Sequence, residues 1–163
     1  MSYKPRIIIK AIEDRKEYID YLKKHLPNAE FCMDEKRDAF DTFLRSLELA
    51  GNDAVIHMEE DVILTKNFTD KLEKIVSTRP QMVCQFFSMR KADLEIGSRV
   101  ENGSSFISAL CFYLPAGMSR DLKKFFITWD RIEEHPTGLD LTPADFMKKH
   151  KMKYYIHIPN LVD

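Results

Sequence analysis

The chain has 163 residues, of which 44% are apolar and 31% charged, with a formal net charge of -1. That length suggests one soluble globular domain, long enough to bury a single core. The near-zero charge excludes a general electrostatic attraction to nucleic acid or to anionic lipid.

The apolar run Ile7-Ile8-Ile9 is far too short for a secretory segment or a membrane span. Cys32, Cys84 and Cys111 are odd in number and widely spaced. Buried reduced thiols of a cytoplasmic protein are expected.

Arg6–Ala11 is β-branched and reads as a strand. Glu13–Leu26 has Tyr18, Ile19, Leu22 and Leu26 on one helical face and stops at Pro27-Asn28. Ala29–Met33 is a second strand with Asp34 just past its end. Arg37–Ala50 is a helix with Phe40, Phe43, Leu44 and Leu47 at the spacing of one face, closed by Gly51-Asn52-Asp53. Ala54–Met58 is a strand, apolar except for His57, and it runs into Glu59-Glu60-Asp61. Asn67 with Asp70 at N3 predicts a capping box opening a helix over Phe68–Ser77. Met82–Phe87 reads as a strand, Lys91–Ser105 as a loop or short hairpin, and Phe106–Leu114 as a strand. Ser119–Ile127 is a short helix. Thr142-Pro143-Ala144-Asp145 opens the last one, with Thr as N-cap, Pro at N1 and Asp at N3. Lys153–Ile158 is the final strand.

Alternating strands and helices predict an α/β fold with a mainly parallel or mixed sheet flanked by helices. Ligands of such sheets bind beyond the carboxyl ends of the strands, where Asp34 and Glu59–Asp61 both fall. Three successive carboxylates repel one another unless a cation neutralises them. Strand alternation would point Glu59 and Asp61 the same way and Glu60 the opposite way. Oxygen-only ligands suit Mg²⁺ or Mn²⁺, which bridge to nucleotide phosphates and neutralise a leaving diphosphate. Acid-x-acid triplets are common in so acidic a chain, and Asp93-x-Glu95 in a polar loop receives no role. The first triplet is set apart by the apolar runs on both sides of it. An acidic strand end that pairs with lysines is the competing reading.

Ile56-His57-Met58-Glu59-Glu60-Asp61-Val62-Ile63-Leu64 resembles the Asp-x-Asp segment of sugar-nucleotide-dependent glycosyltransferases of the GT-A type. The tail Tyr154–Asp163 and the segment Gly138-Leu139-Asp140 resemble the same small enzymes, some of them carried by phages. The resemblance covers most of the chain loosely and is specific at the acidic segment and the tail. It implies a GT-A-like, Rossmann-like nucleotide-binding half over residues 1–90 and an acceptor half over 91–163. It implies metal and diphosphate ligation by Glu59 and Asp61 and ribose contact by Glu60. Asp34 would hold the nucleoside base, and Arg15 would supply positive charge near the nucleotide. Asp140 would be the general base on the acceptor hydroxyl of an inverting enzyme, or would orient the sugar in a retaining one. Glu59 stands where the motif usually has Asp, and such tails usually continue past Asp163 into a His that could serve as a third metal ligand.

The expected activity is therefore transfer of a sugar from a nucleotide diphosphate sugar, most simply a UDP-sugar, with Mn²⁺ or Mg²⁺. The acceptor would be a glycan or a modified-base hydroxyl. A non-catalytic nucleotide-sugar-binding protein of the same fold is the alternative, and a metal-dependent phosphoesterase or nuclease a more distant one. Among other residues, Asp145 reads as a helix cap and His57 as a core histidine. His135 could face the ligand, and the facing of His157 is open. Gly103-Ser104-Ser105 resembles a small-residue turn beneath a sugar, and an ordinary loop is the safer reading. Lys36, Arg37 and Lys91 read as surface charges, and Met58, Met82 and Met89 as core. Trp129 is either a sugar-stacking platform or a cap on the core.

Overall fold

The computed structural model describes residues 4–107, 110–129 and 138–163. Seven strands, β1 (Arg6–Ala11), β2 (Glu30–Met33), β3 (Val55–Glu59), β4 (Val83–Gln85), β5 (Arg99–Asn102), β6 (Cys111–Leu114) and β7 (Lys153–Ile156), form one sheet. Their order is β2-β1-β3-β6-β4-β7-β5. β1 pairs in parallel with β2 and β3, and β4 with β7, while β6 and β5 run against their neighbours. The fold is α/β with a mixed sheet, as the alternating pattern predicted.

Among the described residues six helices flank it: α1 (Lys16–His25), α2 (Ala39–Ala50), α3 (Phe68–Thr78), α4 (Lys91–Ile96), α5 (Met118–Thr128) and α6 (Thr142–Lys149). The central strands are apolar on both sides because both faces are covered. On one face Ile8, Val55, Phe112 and Leu114 pack with Phe43 and Leu47 of α2, Leu122 of α5 and Met147 of α6. On the other, Ile9, Ile56, Met58 and Tyr113 pack with Leu22 of α1 and Leu72 and Val76 of α3. Successive residues thus serve opposite cores, as the two-residue strand period requires. Among the described residues no helix is long and apolar enough to cross a membrane.

Several local expectations change. The first predicted helix opens with a 3₁₀ turn at Glu13–Arg15, and the second starts two residues late because Asp38 caps it, accepting from the amides of Phe40 and Asp41. Asn67 sits in the left-handed region (φ 58°) with no side-chain cap hydrogen bond, so the capping box does not form. Thr142 is already helical, Leu141 being the N-cap, and Asp145 accepts from Trp129 Nε1 at 2.9 Å in place of capping. Residues 91–105 are not a simple loop. They hold α4, edge strand β5 and a 3₁₀ turn at Gly103–Ser105.

What organises that region is Asp93, given no role from sequence. It is 3% exposed and accepts from Ser88 Oγ, Arg90 Nε and Arg99 Nη2. Burial alone would push its carboxyl up. The hydrogen bonds from Ser88, Arg99 and Arg90 outweigh that and leave it below the ordinary carboxylate value.

Gly103 is packed against α6: a Cβ there would lie 2.3 Å from Met147 Cβ and 2.8 Å from the Met152 carbonyl oxygen. The glycine lets this turn lie directly on α6. Gly103→Ala should therefore lower stability by about 1–3 kcal/mol, as overpacking of a tight contact does, measured by urea unfolding. An unchanged midpoint would show that α6 does not bear on this turn.

Candidate functional site

The chain leaves β1 through α1 toward β2 on one side, then returns through α2 across the opposite face to β3 on the other side of β1. From β3 it continues away from β1, through α3, to β4. Connections therefore diverge at the carboxyl ends of β1 and β3, which opens a crevice there by topology alone. Charged residues from three crossover units meet in it. A cavity of about 180 Å³ is lined by Lys10, Arg15, Asp34, Glu59 and Glu60, with Leu139 also on its wall. That is smaller than the roughly 300–1,000 Å³ of a pocket enclosing a whole small-molecule ligand. It suits a phosphate-sized group, with the rest of a ligand lying along the sheet edge.

Lys10 and Glu59 are direct partners in the parallel register of β1 and β3. Lys10 Nζ lies 2.6 Å from Glu59 Oε1 and 5.0 Å from the centroid of the Phe43 ring of α2. The Lys10 side chain is 7% exposed and that of Glu59 28%. β3 ends at Glu59 and the chain bends at once. The expected strand alternation therefore stops, and Glu60 and Asp61 do not take opposite sides. Arg15 Nη1 holds both, at 3.3 Å from Glu60 Oε1 and 2.6 Å from Asp61 Oδ2. Glu59 is served separately by Lys10. Asp61 and Glu60 in turn raise the Arg15 guanidinium further. Burial pushes the Glu60 carboxyl above its ordinary value, with Arg15 opposing that rise.

Asp34 continues the β2 ladder by one step, its amide donating to the Ala11 carbonyl at 2.7 Å. Its Oδ1 accepts from the amides of Lys36 and Asp38, so it shapes the turn into α2 while lining the crevice. Asp140 lies exposed in a 3₁₀ turn, Leu139–Leu141, whose first residue lines the cavity. The structure thus brings together Arg15, Asp34, Glu59 and Glu60, keeps Asp61 at the rim on Arg15, and leaves Asp140 on an adjoining turn. Lys10 is the member that sequence reasoning missed. Its signal was a lone lysine inside Arg6–Ala11, a strand otherwise apolar beyond its first residue.

The last residues run beside the acidic segment. Ile63 N donates to Asp163 O at 2.8 Å, Asp163 N returns to Ile63 O at 2.9 Å, and Leu64 bridges Val162.

Among the described residues, no group of three or more His, Cys, Asp and Glu side chains is gathered to hold a metal. An all-protein cage is thus not what these residues offer. Their oxygen-only donors do fit Mg²⁺ or Mn²⁺, which takes one or two carboxylates and fills its shell with phosphate oxygens and water.

The remaining candidates take structural places. His57 is fully buried and stacked on Phe112 at 5.4 Å. Burial, with Lys10 nearby, depresses it to about 3, so the ring is neutral at neutral pH. His157 is partly buried, its Nδ1 3.4 Å from the Tyr155 hydroxyl. Trp129 is 8% exposed among Phe40 and Phe126, a core cap and no open platform. Lys36, Arg37 and Lys91 pair at the surface with Asp41, Asp14 and Glu95. Met58 is core as expected, whereas Met89 is 84% exposed. His135 lies outside the described residues.

No family model and no curated protein matches the chain. Among solved structures, A197 from STIV is 14% identical, with 96% of this chain and 83% of that chain covered at a TM-score of 0.51. A Bacillus anthracis chain assigned as a glucose-1-phosphate thymidylyltransferase, solved with a sucrose, is 11% identical. There 92% of this chain and 66% of that one are covered, at a TM-score of 0.46. The first likeness concerns the fold alone, and the second is too loose to bear on function.

Arg15 yields a pH-dependent test. Glu60 keeps its proton to higher pH in the folded chain than in the unfolded one. That contribution is complete below the ordinary carboxylate value and is lost as pH rises through the folded value. Removing Arg15 withdraws the cation that limits the loss. Arg15→Met should cost less near about pH 4 than near about pH 8, where the loss, screened because Arg15 is about half exposed, should be on the order of 1 kcal/mol by urea unfolding. Equal losses at both would show that Arg15 acts through packing and not through Glu60.

Proposed function

We propose that this chain is a metal-dependent glycosyltransferase that binds a nucleotide diphosphate sugar, most simply a UDP-sugar, in the crevice between β1 and β3. The observation that carries the reading is the convergence of Arg15, Asp34, Glu59 and Glu60 on one cavity at the diverging strand ends. The acidic segment is also the stretch of sequence that resembles the Asp-x-Asp motif. Glu59 and Asp61 would hold Mn²⁺ or Mg²⁺, Asp34 the nucleoside and Glu60 the ribose. Arg15 would face the phosphates. When bound, the ion would supply positive charge against the diphosphate.

In the transfer, the acceptor hydroxyl oxygen bonds to the anomeric carbon and the bond from that carbon to the diphosphate oxygen breaks. The nucleoside diphosphate leaves, and Asp140 receives the hydroxyl proton if the reaction inverts. In a retaining reaction Asp140 orients the sugar and the departing diphosphate oxygen takes the hydroxyl proton. The acceptor class, glycan or modified base, follows from the family resemblance and from no residue of the crevice.

A second reading, nucleotide-sugar binding without turnover, is favoured by one observation. Glu59 and Asp61 are both already matched by cations within the protein. Calorimetry of UDP with and without Mn²⁺ tests the shared premise, and metal-dependent binding in the micromolar range is expected. Asp61→Ala, with its fold verified by circular dichroism, should abolish the metal-dependent part. No nucleoside diphosphate binding in either condition would remove both readings. Binding without transfer or hydrolysis across a panel of labelled sugar nucleotides would select the second.

A further inference from the structure

Lys10 has a burial that ordinary strand lysines lack. Its ammonium sits at the inner end of the crevice, its side chain 7% exposed, between the Glu59 carboxylate and the Phe43 ring. Among the described residues, Glu59 is the carboxylate within ion-pair distance of Nζ. Taking an ammonium out of water is costly, and a buried ion pair contributes little net stability compared with apolar residues of similar size. Joining β1 to β3 is therefore a weak reason for this pair, since the backbone ladder of the two strands already does so. The pair also lines the cavity, with Glu59 partly open to it, and is not enclosed in either apolar core.

We infer that Lys10 is an exchangeable counter-ion. It neutralises Glu59 in the empty protein, keeps a free divalent cation off that carboxylate, and passes to a diphosphate oxygen when metal and nucleotide arrive together. This deepens the proposed function and rests on its placement of metal and diphosphate.

The charges balance through the exchange. Before it, one ammonium faces one carboxylate. A divalent cation bridged to the two negative charges of a nucleotide-sugar diphosphate is neutral as a unit. Its cation takes Glu59 and its phosphate takes Lys10, so no uncompensated charge is buried at any stage. A metal ion arriving alone must instead leave the Lys10 ammonium buried without a partner, which is unfavourable. A nucleotide arriving alone finds Lys10 already occupied. The exchange thus makes metal and nucleotide binding mutually dependent, and by linkage each strengthens the other by the same factor.

Two reciprocal variants test this. Lys10→Met keeps the length and packing against Phe43 while freeing Glu59, which is partly exposed and can be hydrated. Mn²⁺ measured alone, by the loss of its free electron paramagnetic resonance signal, should bind this variant about tenfold or more tightly than it binds the native chain. UDP in the presence of Mn²⁺ should bind it about tenfold or more weakly. Glu59→Gln frees Lys10 instead, so UDP without metal should bind this variant more tightly than it binds the native chain and should gain little from added Mn²⁺. A merely structural pair would lower both ligands' affinities in both variants, along with the thermal midpoint.

Equal or weaker binding of Mn²⁺ alone by Lys10→Met overturns the inference. So does unchanged metal dependence of UDP binding in Glu59→Gln. If the native chain binds no UDP in either condition, the nucleotide reading fails. The exchange to phosphate fails with it, while the Mn²⁺-alone comparison still decides whether Lys10 guards Glu59.

Discussion

Parallel pairing of β1 with both of its neighbours is the constraint from which the rest of the molecule follows. Parallel strands cannot be joined by tight hairpins, so each connection must cross a face of the sheet. The crossovers place α1 and α3 on one side and α2 on the other, and the strands between them must be apolar on both faces. They also bring the carboxyl ends of β1, β2 and β3 to a single edge. Residues separated by tens of positions in sequence, Lys10, Asp34 and Glu59 among them, meet there without any local signal that they should.

Where they meet, charge decides the detail. Three acids stand close together, and the protein supplies two cations of different character. Arg15, about half exposed, spans Glu60 and Asp61 with one terminal nitrogen. Lys10 is buried and answers Glu59 alone among the described residues. A guanidinium at the rim can rearrange in water, whereas an ammonium under the edge of the sheet cannot lose its partner without gaining another.

The sequence made the architecture legible where periodicity was strong. Arg6–Ala11 is a strand to the residue, and the apolar face of α2 lies where Phe43 and Leu47 placed it. The acidic segment and Asp34 were found from their position after strands, a property of α/β sheets in general. What escaped depended on tertiary context. Strand alternation failed at Glu60 because the chain bends immediately after Glu59. Asn67 has the residue type of a cap but adopts a left-handed backbone, and Asp145 is drawn away by the indole of Trp129. The short helix α4 and edge strand β5 carry weak periodicity and are organised by Asp93 and its two arginines, which no local pattern announces. Lys10 was passed over because a single lysine in a strand carries no pattern, and its meaning appears only once Glu59 is opposite it.

The antiparallel seam between Ile63–Thr65 and Leu161–Asp163 has a practical bearing on how the protein is handled. Any chain that follows Asp163, natural or appended, starts beside Ile63, two positions from Asp61. A purification tag, a fluorescent fusion or a surface tether placed there would crowd the approach to the acids, and a histidine tag would also bring metal-binding imidazoles to them. The first residues of β1 lie at the opposite edge of the sheet. A label carried on the exposed Lys4, just before β1, would stand away from the crevice.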